Sequence, residues 1–83
     1  MDAMQQVVRV LEQALGLNGR SESFTRDTPL LGALPELDSM AVLALITGLE
    51  ERFGIMVDDD EIDGSVFATV GSLTDFVNSK TIA

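Results

Sequence analysis

The chain contains no cysteine and no histidine. Those absences remove disulfide frameworks, the zinc-finger ligand sets, Cys or Ser–His nucleophile pairs and any imidazole base, and most hydrolase chemistry goes with them. Tryptophan and tyrosine are also missing, which weakens any platform for stacking nucleobases. Positive charge is scarce, with 5 Lys and Arg against 14 Asp and Glu for a net charge of −9. A field of that sign repels phosphate backbones and anionic lipid, so nucleic acid is not expected as a partner; basic proteins, divalent cations or a neutral cargo remain. The longest apolar run, residues 40–46, falls far short of the ~20 residues that span a bilayer, and the N-terminus lacks the basic, apolar, small-residue order of a signal peptide. A cytoplasmic location is expected, and the lack of cysteine is compatible with it.

What is present is a folding composition. Hydrophobic residues make up 46% of 83 positions, richer than a disordered acidic tail. A chain of this size has room for one domain, residues 1–83, and buries about 60% of its unfolded surface without cross-links. Met4, Val7, Val8, Leu11 and Leu15 recur at helical spacing and predict a first helix, with Asp2 as N-cap and Gly16 as its end. Periodicity then vanishes over 17–38, where Asn18, Gly19, Ser21, Ser23, Thr25, Pro29, Gly32 and Pro35 accumulate and predict a long loop. So long a loop is functional or is anchored by buried side chains, for which Phe24, Leu30, Leu31, Leu34 and Leu37 are available. A second helix is expected over 39–53, closed by Gly54. Its Met40, Val42, Leu43, Leu45, Ile46, Leu49 and Phe53 exceed one core face. Either part of this surplus meets a ligand or partner, or a small bundle buries the helix on nearly all sides. A one-to-two-turn helix fits within 59–68, and Val70, Leu73, Phe76 and Val77 predict a last helix started by Thr69 or Ser72 and fraying after Ser79. The expected fold is all-α, with three main helices, one short one and a long loop between the first two.

Two motifs invite chemistry. Asp58, Asp59, Asp60 and Glu61 suggest a calcium loop, but an EF-hand starting at Asp58 needs a ligand at Ile62, glycine at Asp63 and a bidentate acid at Thr69. None of these holds, and acids near a short helix start are favoured by its dipole, so no metal site is expected. No catalytic residues can be named either, because no separate base, nucleophile and oxyanion donor can be assembled. Asp38 and Ser39 open the second helix, where the plainest role is capping. A serine there also sits at the positive end of the helix dipole, whose free N–H groups can stabilise a phosphate on its hydroxyl. Without a histidine or cysteine to activate it, Ser39 is expected to be modified by another enzyme.

At these residues the chain resembles the acyl carrier protein family. The resemblance runs from the first amphipathic helix through Asp27-Thr28-Pro29-Leu30 and Leu34-Pro35-Glu36-Leu37-Asp38-Ser39-Met40. It continues through Leu49-Glu50-Glu51-Arg52-Phe53-Gly54-Ile55 to Thr69-Val70-Gly71-Ser72-Leu73, nearly the whole chain. It implies a carrier and not an enzyme, a monomer with 4′-phosphopantetheine attached at Ser39 by a phosphopantetheinyl transferase drawing on coenzyme A. Asp38 and Met40 would flank the arm. Its terminal thiol would hold an acyl group, which accounts for a chain with no cysteine. An acyl-loading ligase or transacylase and acyl-accepting enzymes would be the partners, with Met40, Val42, Leu43, Ile46 and Glu50 as candidate contacts. Val42, Leu43, Ile46, Leu49, Met56, Ile62 and Phe67 are the residues expected near a sheltered acyl chain.

The chain departs from the resemblance where fatty-acid-synthesis carriers usually have acids just after the serine. Here those positions hold Ala41, Val42 and Ala44, which points to a specialised set of partners in lipid or secondary metabolism. The stretches Leu-Pro-Glu-Leu-Asp-Ser-Met and Val57-Asp58-Asp59-Asp60-Glu61-Ile62 are similar to stand-alone carriers associated with bacterial exosortase and exopolysaccharide systems. Met40 also occurs after the serine in carriers of amino acids, so a free-standing aminoacyl or peptidyl carrier is the nearest alternative. From a different class, an unmodified helical adaptor would use the apolar side of 40–49 to bind another helix.

Overall fold

The computed structural model describes residues 3–17, 19–35 and 37–81. Among them are three α-helices and no strand: α1 (Ala3–Leu15), α2 (Ser39–Phe53) and α3 (Val70–Thr81). Two 3-10 turns, Arg20–Ser23 and Asp59–Glu61, lie in the connections. The expected short helix is therefore a single tight turn at Asp59–Glu61. The turn at Arg20–Ser23 was not expected, because its Arg-Ser-Glu-Ser sequence carries no apolar period. No helix among the described residues is long and apolar enough to cross a membrane.

Helix α1 packs against both other helices, while α2 and α3 touch each other more sparingly. It buries Val7, Val10, Leu11 and Leu15 and leaves Met4 and Val8 half-buried, so the inward stripe is rotated slightly from the expected one and takes in Val10. Gly16 ends the helix with φ of 61°, a left-handed conformation that costs glycine nothing; its N–H and that of Leu17 both donate to the Glu12 carbonyl. The expected cap at Asp2 lies outside the described residues.

The connection from α1 to α2 is held down by its own side chains. Leu17, Leu30 and Leu37 are buried, and Phe24 and Leu34 are half-buried. Leu31 does not anchor it: it is 47% exposed, because Leu30 takes the inward position and its neighbour turns outward. The backbone is sewn to the approach to α3. Leu30 and Leu31 N–H donate to the Ala68 and Phe67 carbonyls, and Val70 and Gly71 N–H donate to those of Thr28 and Arg26. At Gly71 a Cβ would stand 2.9 Å from the Arg26 carbonyl oxygen, so this crossing of backbones requires glycine.

Helix α2 closes on Gly54 at φ 66°, whose N–H bonds to the Glu50 carbonyl. Helix α3 opens on a reciprocal cap: Thr69 N–H donates to Ser72 Oγ and Ser72 N–H donates to Thr69 Oγ1, each at 3.0 Å. It runs to Thr81, two residues past the expected fraying point.

Candidate functional site

The start of α2 is built by Asp38. This residue is extended, with φ −109° and ψ −174°, and its Oδ1 accepts the Ala41 N–H at 2.8 Å. Its carbonyl accepts the Val42 N–H at 2.9 Å. The cap thus satisfies one of the donors that every helix start leaves without an intrahelical partner. Ser39, the first helical residue, is exposed. Among the described residues its hydroxyl makes no hydrogen bond, and the N–H groups of Ser39 and Met40 meet no acceptor. Neither an acidic side chain in the first turn of α2 nor a histidine anywhere in the chain can activate that hydroxyl. The arrangement presents an accessible alcohol beside free N–H donors at the positive end of a 15-residue helix, a setting that favours an attached phosphate.

The other sequence-derived candidates divide by direction. Met40 and Leu43 point outward, 76% and 60% exposed. Val42 is half-buried and packed against the core, and Ile46 is 7% exposed within it. The inward face of α2 runs through Leu45, Ile46 and Leu49, which leaves the Ile46 side chain almost no free surface for the contact expected of it. Glu50 is half-buried, and its Oε2 accepts the Val57 N–H at 2.9 Å, which fixes the turn after α2. Of the residues expected near an acyl chain, Ile46, Leu49 and Phe67 are core, Val42 and Ile62 are half-buried, and Leu43 and Met56 are exposed, Met56 at 80%. Helix α2 is therefore not buried on all sides, and part of its apolar surplus faces solvent.

Two acids that follow α2, Glu61 and Asp63, are engaged by protein groups. Glu61 grips Lys80 through both oxygens, at 2.7 and 2.8 Å, and its Oε1 also accepts the Asp58 N–H. Asp63 Oδ1 accepts from the Ser65 hydroxyl and from the Ser65 and Val66 N–H groups. The Lys80 hydrogen bond holds the Glu61 carboxyl below its ordinary pKa, helped by the Asp58 N–H. The Ser65 hydroxyl does the same for Asp63, followed by the two N–H groups. Among the described residues no cluster of acids is arranged to hold a metal ion. Sequence reasoning missed Lys80 as the partner of this run, since nothing local signals a contact across nineteen residues.

Comparison with known proteins decides the family. The phosphopantetheine attachment site family matches residues 5–77. The chain belongs to that family. It is similar to an acyl carrier protein of Acidothermus cellulolyticus, 29% identical over 62 residues, an alignment covering 75% of this chain and 63% of that protein. It is also similar to a holo acyl carrier protein of Nitrosomonas europaea solved by NMR in solution, with 46% identity, a TM-score of 0.92 and full coverage of both chains. This carrier is therefore an acyl-carrier-type, non-catalytic protein whose prosthetic group is covalent 4′-phosphopantetheine. Its residues fit the group, because the start of α2 offers an exposed hydroxyl beside N–H donors that the cap leaves free.

Proposed function

We propose that Ser39 receives 4′-phosphopantetheine from coenzyme A by the action of a phosphopantetheinyl transferase: the serine Oγ attacks the pantetheine-side phosphorus, the pyrophosphate bond breaks, adenosine 3′,5′-bisphosphate leaves, and a phosphodiester to Ser39 remains. The observation that carries this reading is the free, exposed hydroxyl at the first position of α2, in a chain matching the attachment-site family on both sides of it. Asp38 holds the helix start around Ala41 and so presents Ser39 at a fixed place. The base that takes the serine proton must come from the transferase, since the chain has no histidine and no acid in the first turn. When attached, the arm supplies a terminal thiol that holds an acyl group as a thioester.

The carrier then serves an acyl-loading ligase or transacylase and acyl-accepting enzymes in the cytoplasm. Ala41, Val42 and Ala44, where the resemblance leads one to expect acids, support a specialised partner set outside housekeeping fatty-acid synthesis. The test is intact-mass measurement after incubation with a phosphopantetheinyl transferase and coenzyme A, with Ser39→Ala alongside. The expected result is one phosphopantetheine on the wild type and none on the variant, which keeps its fold because Asp38 supplies the cap. A folded wild type that gains no mass, or a variant that does, overturns the assignment. Offered to a housekeeping malonyl transacylase, the modified protein is expected to load poorly; efficient loading removes the specialised reading and leaves Ser39 untouched.

A further inference from the structure

We propose that Asp63–Gly64 is a modification site, at which the chain isomerises to isoaspartate by reaction with itself and water, and that the Ser65 hydroxyl restrains the reaction. The inference does not depend on which serine carries the arm. Asp63 is the one aspartate of the sequence followed by glycine. Without a Cβ, glycine offers its backbone nitrogen to the preceding carboxyl with less steric hindrance than any other residue. Asp63 and Gly64 are both exposed, so water reaches them. Among the described residues the Gly64 N–H donates to no acceptor, and no hydrogen bond has to break before that nitrogen reacts.

The step balances without an oxidant or a second reagent. The Gly64 nitrogen gives up its proton and bonds to Asp63 Cγ, a carboxyl oxygen leaves as water, and a five-membered imide forms. Water then adds to one of the two imide carbonyls. Breaking the new N–Cγ bond restores aspartate. Breaking the original peptide bond instead routes the backbone through Cγ and leaves the α-carboxylate pendant, so that one water is lost, one is regained and the product is isoaspartate.

The nucleophile is free, but the electrophile is held down. Attack requires the neutral carboxylic acid, because an ionised carboxylate repels the nitrogen lone pair and has no good leaving group. Asp63 Oδ1 accepts the Ser65 hydroxyl at 2.5 Å, the Ser65 N–H at 2.8 Å and the Val66 N–H at 3.3 Å. Three donors on one oxygen favour the ionised form. The hydroxyl is the shortest of these contacts and the first cause of the lowered Asp63 pKa. The same bonds set the turn that leads into Phe67 and Ala68, whose carbonyls accept the Leu31 and Leu30 N–H groups. Isoaspartate lengthens the backbone at that turn by a carbon and removes its acceptor, so the crossing between the long connection and the approach to α3 loosens.

The experiment ages the whole chain at physiological temperature and neutral pH as wild type, Ser65→Ala, Ser65→Thr and Gly64→Ala. Isoaspartate at residue 63 is read by electron-transfer fragmentation of the derived peptides, and circular dichroism checks that the variants fold. A Cβ at Gly64 would stand 3.6 Å from Leu31 Cδ2, an ordinary contact, and its φ is not positive, so alanine is accommodated there. Isoaspartate is expected to accumulate in wild type unfolded by guanidinium chloride and about tenfold more slowly in folded wild type. Folded Ser65→Ala is expected to react about fivefold faster than folded wild type, the order of one exposed hydrogen bond to a charged group. Ser65→Thr, which keeps the hydroxyl, returns to the wild-type rate, and Gly64→Ala forms none. Absence of isoaspartate at 63 from the unfolded wild type, or its formation in Gly64→Ala at the wild-type rate, overturns the site. Folded wild type as reactive as unfolded, Ser65→Ala within about twofold of wild type, or Ser65→Thr as reactive as Ser65→Ala overturns the restraint.

Discussion

Asp38 and Ser39 divide the work of one helix start between them. Asp38 uses its side chain and carbonyl to close the first turn, and this frees the Ser39 hydroxyl from the capping role that serine often fills. Replacing Asp38 by Ala leaves the Ala41 N–H without its partner and is expected to cost about 1 kcal/mol of stability, read as a lower midpoint in urea. An unchanged midpoint would show that solvent caps the helix as well. This pair was legible from sequence because a cap and the residue after it are separated by one bond. The direction of Ile46 was not legible. With seven large apolar residues spread around α2, periodicity leaves the phase of the helix open, and only α1 and α3 on its inner side decide which of them are core.

At the level of elements, the connection from α2 to α3 is tied at several points. Glu50 holds Val57, Glu61 holds Lys80 on α3, and the Ser72 hydroxyl donates to the Val66 carbonyl at 2.9 Å. Because Glu61 and Asp63 are harder to protonate in the fold than in the unfolded chain, their bonds stabilise above the ordinary carboxylate range. That contribution is lost as pH falls through their lowered values. The stability difference between wild type and Glu61→Gln is therefore expected to favour the wild type at pH 7 and to vanish in acid. Thermal denaturation of both proteins over that range checks it, and a difference independent of pH would remove Glu61 ionisation as the cause. Local reading identified the acids as belonging to a short helical turn; it could not find Lys80, which reaches them only once α3 is folded back beside the turn.

At the level of the molecule, self-repulsion outweighs attraction. Lys80 pairs with Glu61, and the exposed Arg26 pairs with Asp75 at 2.9 Å; exposed pairs contribute little, against a net charge of −9. Stability is expected to rise with sodium chloride near neutral pH, and more steeply with divalent cations, because screening relieves like charges that folding brings together. Urea denaturation at increasing ionic strength measures it, and a flat or falling curve would show that the ion pairs dominate.

The amino-acid order by itself determined the three helices, the glycines that close the first two, the Asp38 cap and the serine that opens α2. Each of these depends on residues within a few positions of one another, where backbone sterics and hydrogen bonding act directly. Tertiary structure alone decided that Leu31 faces out while Leu30 faces in, that Ile46 is core while Leu43 is free, and that Gly71 must be glycine beneath Arg26. Those outcomes depend on which distant backbone arrives alongside, and a one-dimensional pattern of apolar and polar residues holds no record of that meeting.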